Sequence, residues 1–205
     1  MFKSANKIVK TLIYSDFVLN GAWGLLAPIF AIFILQDIVG GDIVEGAKVA
    51  GFTSLIYWSV KSVLQIPIGA YLDKNHGEKD DFLFMVAGIF LASLSPFGFL
   101  ISTTPCHIYI SQSLQAIGMA MMIPSSSAIF ARHVDKGKEA YEYSLRSTSL
   151  GFGVGLAGAV GGVMTTVWGF KLIFLFVGIF TMMSGIILLS LKDQLSTKNI
   201  VSTKF

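Results

Sequence analysis

Six mostly apolar stretches follow one another along the chain, at residues 12–35, 47–72, 82–102, 108–131, 144–167 and 170–191. Each matches or exceeds the roughly 20 residues that carry a helix across the hydrocarbon core of a bilayer. Short connections at 36–46, 73–81, 103–107 and 132–143, and a tight turn near Trp168, leave no room for anything but membrane crossings. The pattern predicts an all-α membrane protein in which residues 1–205 form a single bundle of six transmembrane helices. Lys3, Lys7 and Lys10 precede the first stretch, as charges precede a signal peptide. That stretch outruns the roughly 7–15 apolar residues of a signal core and leads into further spans, so it is expected to be retained.

Composition closes off the alternatives. Apolar residues make up 54% of the 205, charged residues 13%, and the mean hydropathy is +0.72. A soluble domain carries roughly 25% charge, so this chain cannot cover a core with a polar shell. The formal net charge of +3 includes no basic run interleaved with aromatics, which argues against a nucleic-acid partner. A single cysteine, Cys106, excludes an internal disulfide and a thiolate metal site, and no cofactor or metal is expected.

Lysine and arginine orient the bundle. With the N-terminus cytoplasmic, that side receives Lys3, Lys7, Lys10, Lys74, Lys79, Arg132, Lys136, Lys138, Lys192, Lys198 and Lys204, and the outer side only Lys48 and Lys171. The asymmetry puts both termini in the cytoplasm and predicts a multi-pass protein of the plasma or inner membrane.

The two three-span halves echo each other. Gly24 and Pro28 in the first parallel Ala120 and Pro124 in the fourth. Leu64, Gly69 and Ala70 parallel Leu156, Gly161 and Gly162, and Phe84, Gly88, Ile89 and Phe90 parallel Phe174, Gly178, Ile179 and Phe180. Three spans reverse the chain, so the second copy lies inverted, and a 3+3 inverted repeat is a mark of secondary transporters.

With these residues in view, the chain resembles one half of a major facilitator superfamily transporter. The most specific element is Gly69-Ala-Tyr-Leu-Asp73-Lys74-Asn-His-Gly77-Glu-Lys79, similar to that family's loop between its second and third helices, with one residue inserted before Gly77. Gln115-Ala116 is similar to the glutamine-glycine pair of the fourth helix, whose companion arginine would fall at Gln112 and is missing. The glycine-rich fifth span has Gly158 where an antiporter signature has proline. The resemblance implies a gate built from Gly69, Asp73, Lys74, Gly77 and Arg132, with Asp73 facing a helix N-terminus in an opposite half. It also implies a partner, because such transporters have two six-helix halves. A homodimer, or pairing with another six-span chain, would supply the second; the commonest symmetric assembly is a twofold pair.

Polar residues inside spans mark the candidate substrate pathway, because a charge at mid-bilayer costs about 2.5–3.5 kcal/mol and must face a bundle interior or a wet cavity. Lys61 sits near the middle of the second span, with Ser54, Tyr57, Trp58 and Gln65 on one helical face. It lines a path for an anionic or amphipathic solute, or it is a structural ion pair or a snorkelling lysine. Asp16 lies roughly 7 Å inside the first span at 1.5 Å per residue, with Asn20 and Trp23 continuing its face. It is either a proton-carrying carboxylate or a plain interfacial contact. Gln112 and Gln115 offer donors and acceptors to a solute or to neighbouring helices, and Met119 and Met122 are read as packing. Arg146 is read as an interfacial anchor. Gly151, Gly155, Gly158 and Gly162 form small-xxx-small pairs and are expected to pack against another helix. From Phe82 to Ser102 and from Leu172 to Leu191 there is no ionisable residue, and these third and sixth spans read as lipid-facing props.

The expected function is secondary active transport of a small organic solute by alternating access, with the lipid bilayer as surroundings. The alternative is a helper six-span subunit that pairs with another membrane protein and does not itself transport. An intramembrane enzyme is not expected: no H-E-x-x-H or G-x-S-x-G occurs, and His76, His107 and His133 fall in the connections. A channel would need a filter-like loop or acidic ring, which the sequence lacks.

Overall fold

The computed structural model of the chain describes residues 6–75 and 77–198; Lys3, His76 and Lys204, named above, lie outside them. Every regular element among the described residues is helical. Asn6 starts α1, Lys7–Leu26, by accepting a hydrogen bond from the Ile8 N–H at 3.2 Å. The helix stops where Pro28 has no N–H to offer the Gly24 carbonyl. A turn leads to α2, Phe30–Phe33, and a π-helical turn, Ile34–Ile38. This second segment is bent by 41° from α1. Gly40 and Gly41, at φ 65° and 92°, swing the chain into α3, Ile43–Asn75, which Asp42 caps by accepting from the Val44 and Glu45 N–H groups at 2.9 and 3.0 Å. There follow α4, Glu78–Ser93, α5, Ser95–Leu100, α6, Pro105–His133, α7, Glu139–Leu189, and α8, Lys192–Lys198.

Three helical stretches, Glu78–Leu100, Pro105–His133 and Glu139–Leu195, are both long and apolar enough to cross a membrane, and the bent pair of α1 with Phe30–Ile38 makes a fourth. The 33 residues of α3 are long enough, but Ser54, Ser59, Lys61, Ser62 and Gln65 keep it more polar than the others. The 51 residues of α7 would run about 77 Å as one straight helix, more than twice a hydrocarbon core. They do not run straight. Gly169 adopts φ 72° and ψ 177°, a conformation glycine tolerates and helices do not. On the near side Arg146 meets Asp16, and on the far side Ser184 meets Ser15, while Phe170 and Phe174 meet Phe33. Both ends of α7 therefore lie level with the start of α1, and the chain doubles back at Gly169, one residue beyond the turn expected near Trp168.

Antiparallel packing of α4 on α6 brings two backbones together. A Cβ on Gly88 would lie 2.5 Å from the Gly118 carbonyl oxygen, and one on Gly118 the same distance from that of Gly88. Backbones approach this nearly only where both residues lack side chains. Against α1, the first arm of α7 packs through Gly153 and Gly161, whose added Cβ would run into Phe17 and the Leu25 carbonyl. The expected packing stripe is thus displaced: Gly151, Gly155 and Gly162 have open space where a Cβ would sit, and Gly158 has only the Gly24 carbonyl at 3.6 Å. Helical period places Gly153 and Gly161 on the face toward α1 and turns the stripe outward.

Apolar side chains gather in two clusters strung along α1. One holds Ile8, Leu12, Ile13, Leu19, Met85, Ile129 and Phe130; the other holds Leu25, Phe33, Phe99, Ile108, Phe174 and Val177; Trp23 touches both. The exposed helices are not the two expected. Among the described side chains of α3 only Gly46, Val49, Thr53 and Leu72 are buried, and of α7 before Gly169 only Glu142, Gly153 and Gly161. The apolar third and sixth spans instead bury a full face each, through Met85, Gly88, Ile89 and Ala92 and through Ile173, Phe174, Val177, Thr181 and Ser184.

Candidate substrate pathway

A cleft of about 300 Å³ opens where α1 ends, between α2, α3, α5 and α6. It is lined by Trp23, Leu26, Ala27, Phe30, Tyr57, Phe99, Gln112 and Gln115. The break at Pro28 borders it: Ala27, just after α1, and Phe30, at the start of α2, both line the space. Phe30 and Phe99 stack obliquely at its floor, with ring centroids 4.9 Å apart. Gln115 is buried, and its Oε1 has no hydrogen-bond partner; the Trp23 Nε1–H is likewise closed off without one.

Below the cleft lies a buried ion pair. Arg146 donates from Nε to Asp16 Oδ2 at 2.6 Å and from Nη2 to Ser126 Oγ at 3.0 Å, and its guanidinium covers the Phe130 ring at 4.7 Å. Three elements, α1, α6 and α7, are tied through one side chain. A planar guanidinium suits that task, with several donors in a rigid fork and a face that stacks on aromatics. The interfacial role expected for Arg146 is therefore replaced by an interior one: helical geometry brings the start of α7 against α1, where Asp16 requires a counter-charge. Beside it, Ser15 and Ser184 exchange hydrogen bonds, hydroxyl to hydroxyl at 2.7 Å and Ser184 Oγ to the Ser15 carbonyl at 2.8 Å.

A second charged cluster closes the end where α3 passes into α4. Glu78, Asp80 and Asp81 occupy the first turn of α4, and Arg132 and His133 the last turn of α6, each sign favoured by the helix end that carries it. Arg132 pairs with the fully buried Asp81, and His133 Nε2 lies 3.4 Å from Glu78 Oε1. The buried Glu142 accepts from the Asp135 N–H at 3.2 Å, pinning the α6–α7 connection. His133, expected in a connection, is the buried last residue of α6, and its Nδ1 lies 3.0 Å from the Ile129 carbonyl.

Residues 13–204 match the family model of the Major Facilitator Superfamily. The chain belongs to the major facilitator superfamily. It is also 25% identical over 177 residues to an uncharacterized MFS-type transporter of Methanocaldococcus jannaschii, an alignment covering 86% of this chain and 43% of the relative. The chain thus spans less than half the length of that relative. Family membership and the apolar helices make it an integral membrane protein.

For this member of the superfamily, the structure groups the expected pathway residues in three places. Trp23, Tyr57, Gln112 and Gln115 line the cleft. Asp16 is in the ion pair, and Asn20 donates to the Asp16 carbonyl at 2.8 Å within its own helix. Lys61 stays on α3, its ammonium 4.6 Å from the Trp58 ring and 5.8 Å from that of Tyr57, a cation–π contact instead of an ion pair. Gln65 is half-buried on the same helix and does not line the cleft. Of the loop-motif residues, Asp73 and Lys74 end α3 exposed, Gly69 has open space around it, and Gly77 precedes α4 in extended conformation. Arg132 engages Asp81, not Asp73.

Sequence reasoning overlooked Asp81, Ser126 and Glu142. Asp81 and Glu142 sit at helix ends, where carboxylates are common and exposed, so only the tertiary fold reveals their burial. Arg132→Ala is expected to lower stability by about 2 kcal/mol, discounted because Arg132 keeps 35% of its side chain exposed. Adding Asp81→Asn should recover most of the loss. Thermal unfolding of the detergent-solubilised variants measures both effects.

Proposed function

We propose that this chain is one half of a secondary active transporter that moves a small organic solute by alternating access, working with a second copy of itself. In this reading six helices cross the bilayer in a 3+3 inverted repeat: the bent α1 segment, α3, α4 with α5, α6, and the two arms of α7. Both termini face the cytoplasm. The doubling back at Gly169 supports the count.

The observation that carries the proposal is the exposed face of α3. Ser54, Trp58, Ser59 and Ser62 are exposed there, with Lys61 beside them. Lipid has nothing to offer hydroxyls and an ammonium, which in membranes face protein or water. The first arm of α7, exposed at Gly151 and Gly155 and open above the half-buried Gly162, offers a smooth face for close approach of a second bundle. A twofold partner covering both would enclose a wet cavity, and the Gly69, Asp73, Lys74, Gly77 and Arg132 region would gate its cytoplasmic end.

The test uses the Cys106→Ser background with Phe152→Cys, on the exposed face of α7. Reconstituted in lipid, this variant is expected to crosslink into dimers, and the same proteoliposomes to accumulate solutes from a panel. Solute uptake by crosslink-resistant monomers overturns the dimer. Absence of uptake for every solute, with or without a pH gradient, overturns transport in favour of a helper subunit.

A further inference from the structure

The cleft carries a chemical preference of its own. Buried polar groups in folded proteins nearly always have hydrogen-bond partners, yet two side chains lining this one space each hold an unpaired atom. Trp23 Nε1–H is a donor and nothing else; Gln115 Oε1 is an acceptor. The terminal torsion of glutamine is soft, so Gln115 can turn its amide toward the cleft without leaving its rotamer. The rest of the lining is largely aromatic: Phe30, Tyr57 and Phe99 present ring faces and edges. No ionised side chain lines the space. The nearby charges are already engaged, the Lys61 ammonium by the Trp58 ring at 4.6 Å and the Asp16 carboxylate by Arg146. An ionised ligand would lose its water and find no counter-charge. A volume of about 300 Å³ is that of a small-molecule site.

We propose that this cleft binds a neutral, planar solute carrying one hydrogen-bond acceptor and one donor, of which an aromatic carboxamide is the simplest kind. Binding turns the Trp23 indole as well as the Gln115 amide toward the cleft, since both atoms are closed off in this structure; the carbonyl of the ligand then accepts from Trp23 Nε1–H, its N–H donates to Gln115 Oε1, and its ring packs among Phe30, Tyr57 and Phe99. The proposal names the substrate class of the transport reading above and rests on that reading. It also replaces the anionic or amphipathic solute that Lys61 suggests from sequence.

Equilibrium binding of radiolabelled benzamide and benzoate to the full chain in lipid nanodiscs tests it. The two probes share size and shape and differ in charge and in the donor. Wild-type protein is expected to bind benzamide at least tenfold more tightly than benzoate, and Gln115→Leu and Trp23→Phe each to weaken benzamide about tenfold. Equal binding of the two probes by the wild type overturns the proposal, and that comparison needs no variant to fold. Unchanged benzamide binding in both variants, each monodisperse, overturns it as well. Proteoliposome uptake separates the two claims. Benzamide bound with the expected preference, but no solute accumulated, leaves the site standing and sinks transport. Solute uptake undiminished by saturating benzamide leaves transport standing and sinks the site.

Discussion

Arg146→Ala is expected to cost about 3–5 kcal/mol, the loss seen when one partner of a buried pair is removed and the other stays behind uncompensated. Asp16 is 4% exposed and Arg146 is the partner that its carboxylate meets. Removing the guanidinium also strands Ser126 Oγ and uncovers the Phe130 ring, so α1, α6 and α7 lose a shared tie at once. The control decides between lost packing and unpaired charge. Asp16→Asn combined with Arg146→Met keeps the volumes and removes both charges, and replacing a buried pair by neutral groups of similar size is often close to harmless. The double variant should therefore melt near the wild type and Arg146→Ala far below it, by thermal unfolding in detergent. Equal melting of Arg146→Ala and wild type would show that Asp16 reaches water.

The same pair shows where reading the sequence succeeds and where it stops. Asp16 was recognisable as an unusual carboxylate because it interrupts an apolar run, and that signal is local. Its partner lies 130 residues along the chain, at the mouth of another helix, where arginine ordinarily marks an interface. Nothing local separates the two roles; only the packing of α7 beside α1 does. Asp81 and Arg132 repeat the lesson at a separation of 51 residues. Conversely, the stretches Glu78–Leu100, Pro105–His133 and Glu139–Leu195 were legible as long apolar helices because hydrophobicity over about 20 residues is a strong local signal, and the break in α7 was legible to within a residue because a glycine interrupts it.

Four of the nine residues expected along a pathway come together for a related reason. Trp23, Tyr57, Gln112 and Gln115 meet in one cleft because polar side chains in spans turn inward wherever neighbouring helices leave room. Lys61 shows the limit: helical period gave its face correctly, next to Tyr57 and Trp58, but a cation with aromatic residues three and four positions away can satisfy itself on its own helix. The glycines show it again. Two interleaved sets occupy α7, and period alone cannot say which of them meets α1.

Gly118→Leu and Gly155→Leu should separate folding from pairing. A Cβ at Gly118 would lie 2.5 Å from the Gly88 carbonyl oxygen and 2.6 Å from the Ala92 nitrogen. Both are backbone atoms of a packed helix, which cannot turn aside as a side chain can. A leucine there must push α4 from α6, at a cost of about 3 kcal/mol or more, and the expected result is aggregation or a strongly lowered melting temperature. Gly155 has nothing within 4 Å of the same position. Leucine there removes a residue worth about 0.8–1.0 kcal/mol less than alanine inside a helix, so the isolated bundle should melt no lower than the wild type. A second copy docked through the α7 face would meet the new side chain directly. Crosslinking through Phe152→Cys in lipid should therefore fall in Gly155→Leu while its folding is untouched. Undiminished crosslinking would place the partner elsewhere and leave the polar face of α3 to be covered by some other chain.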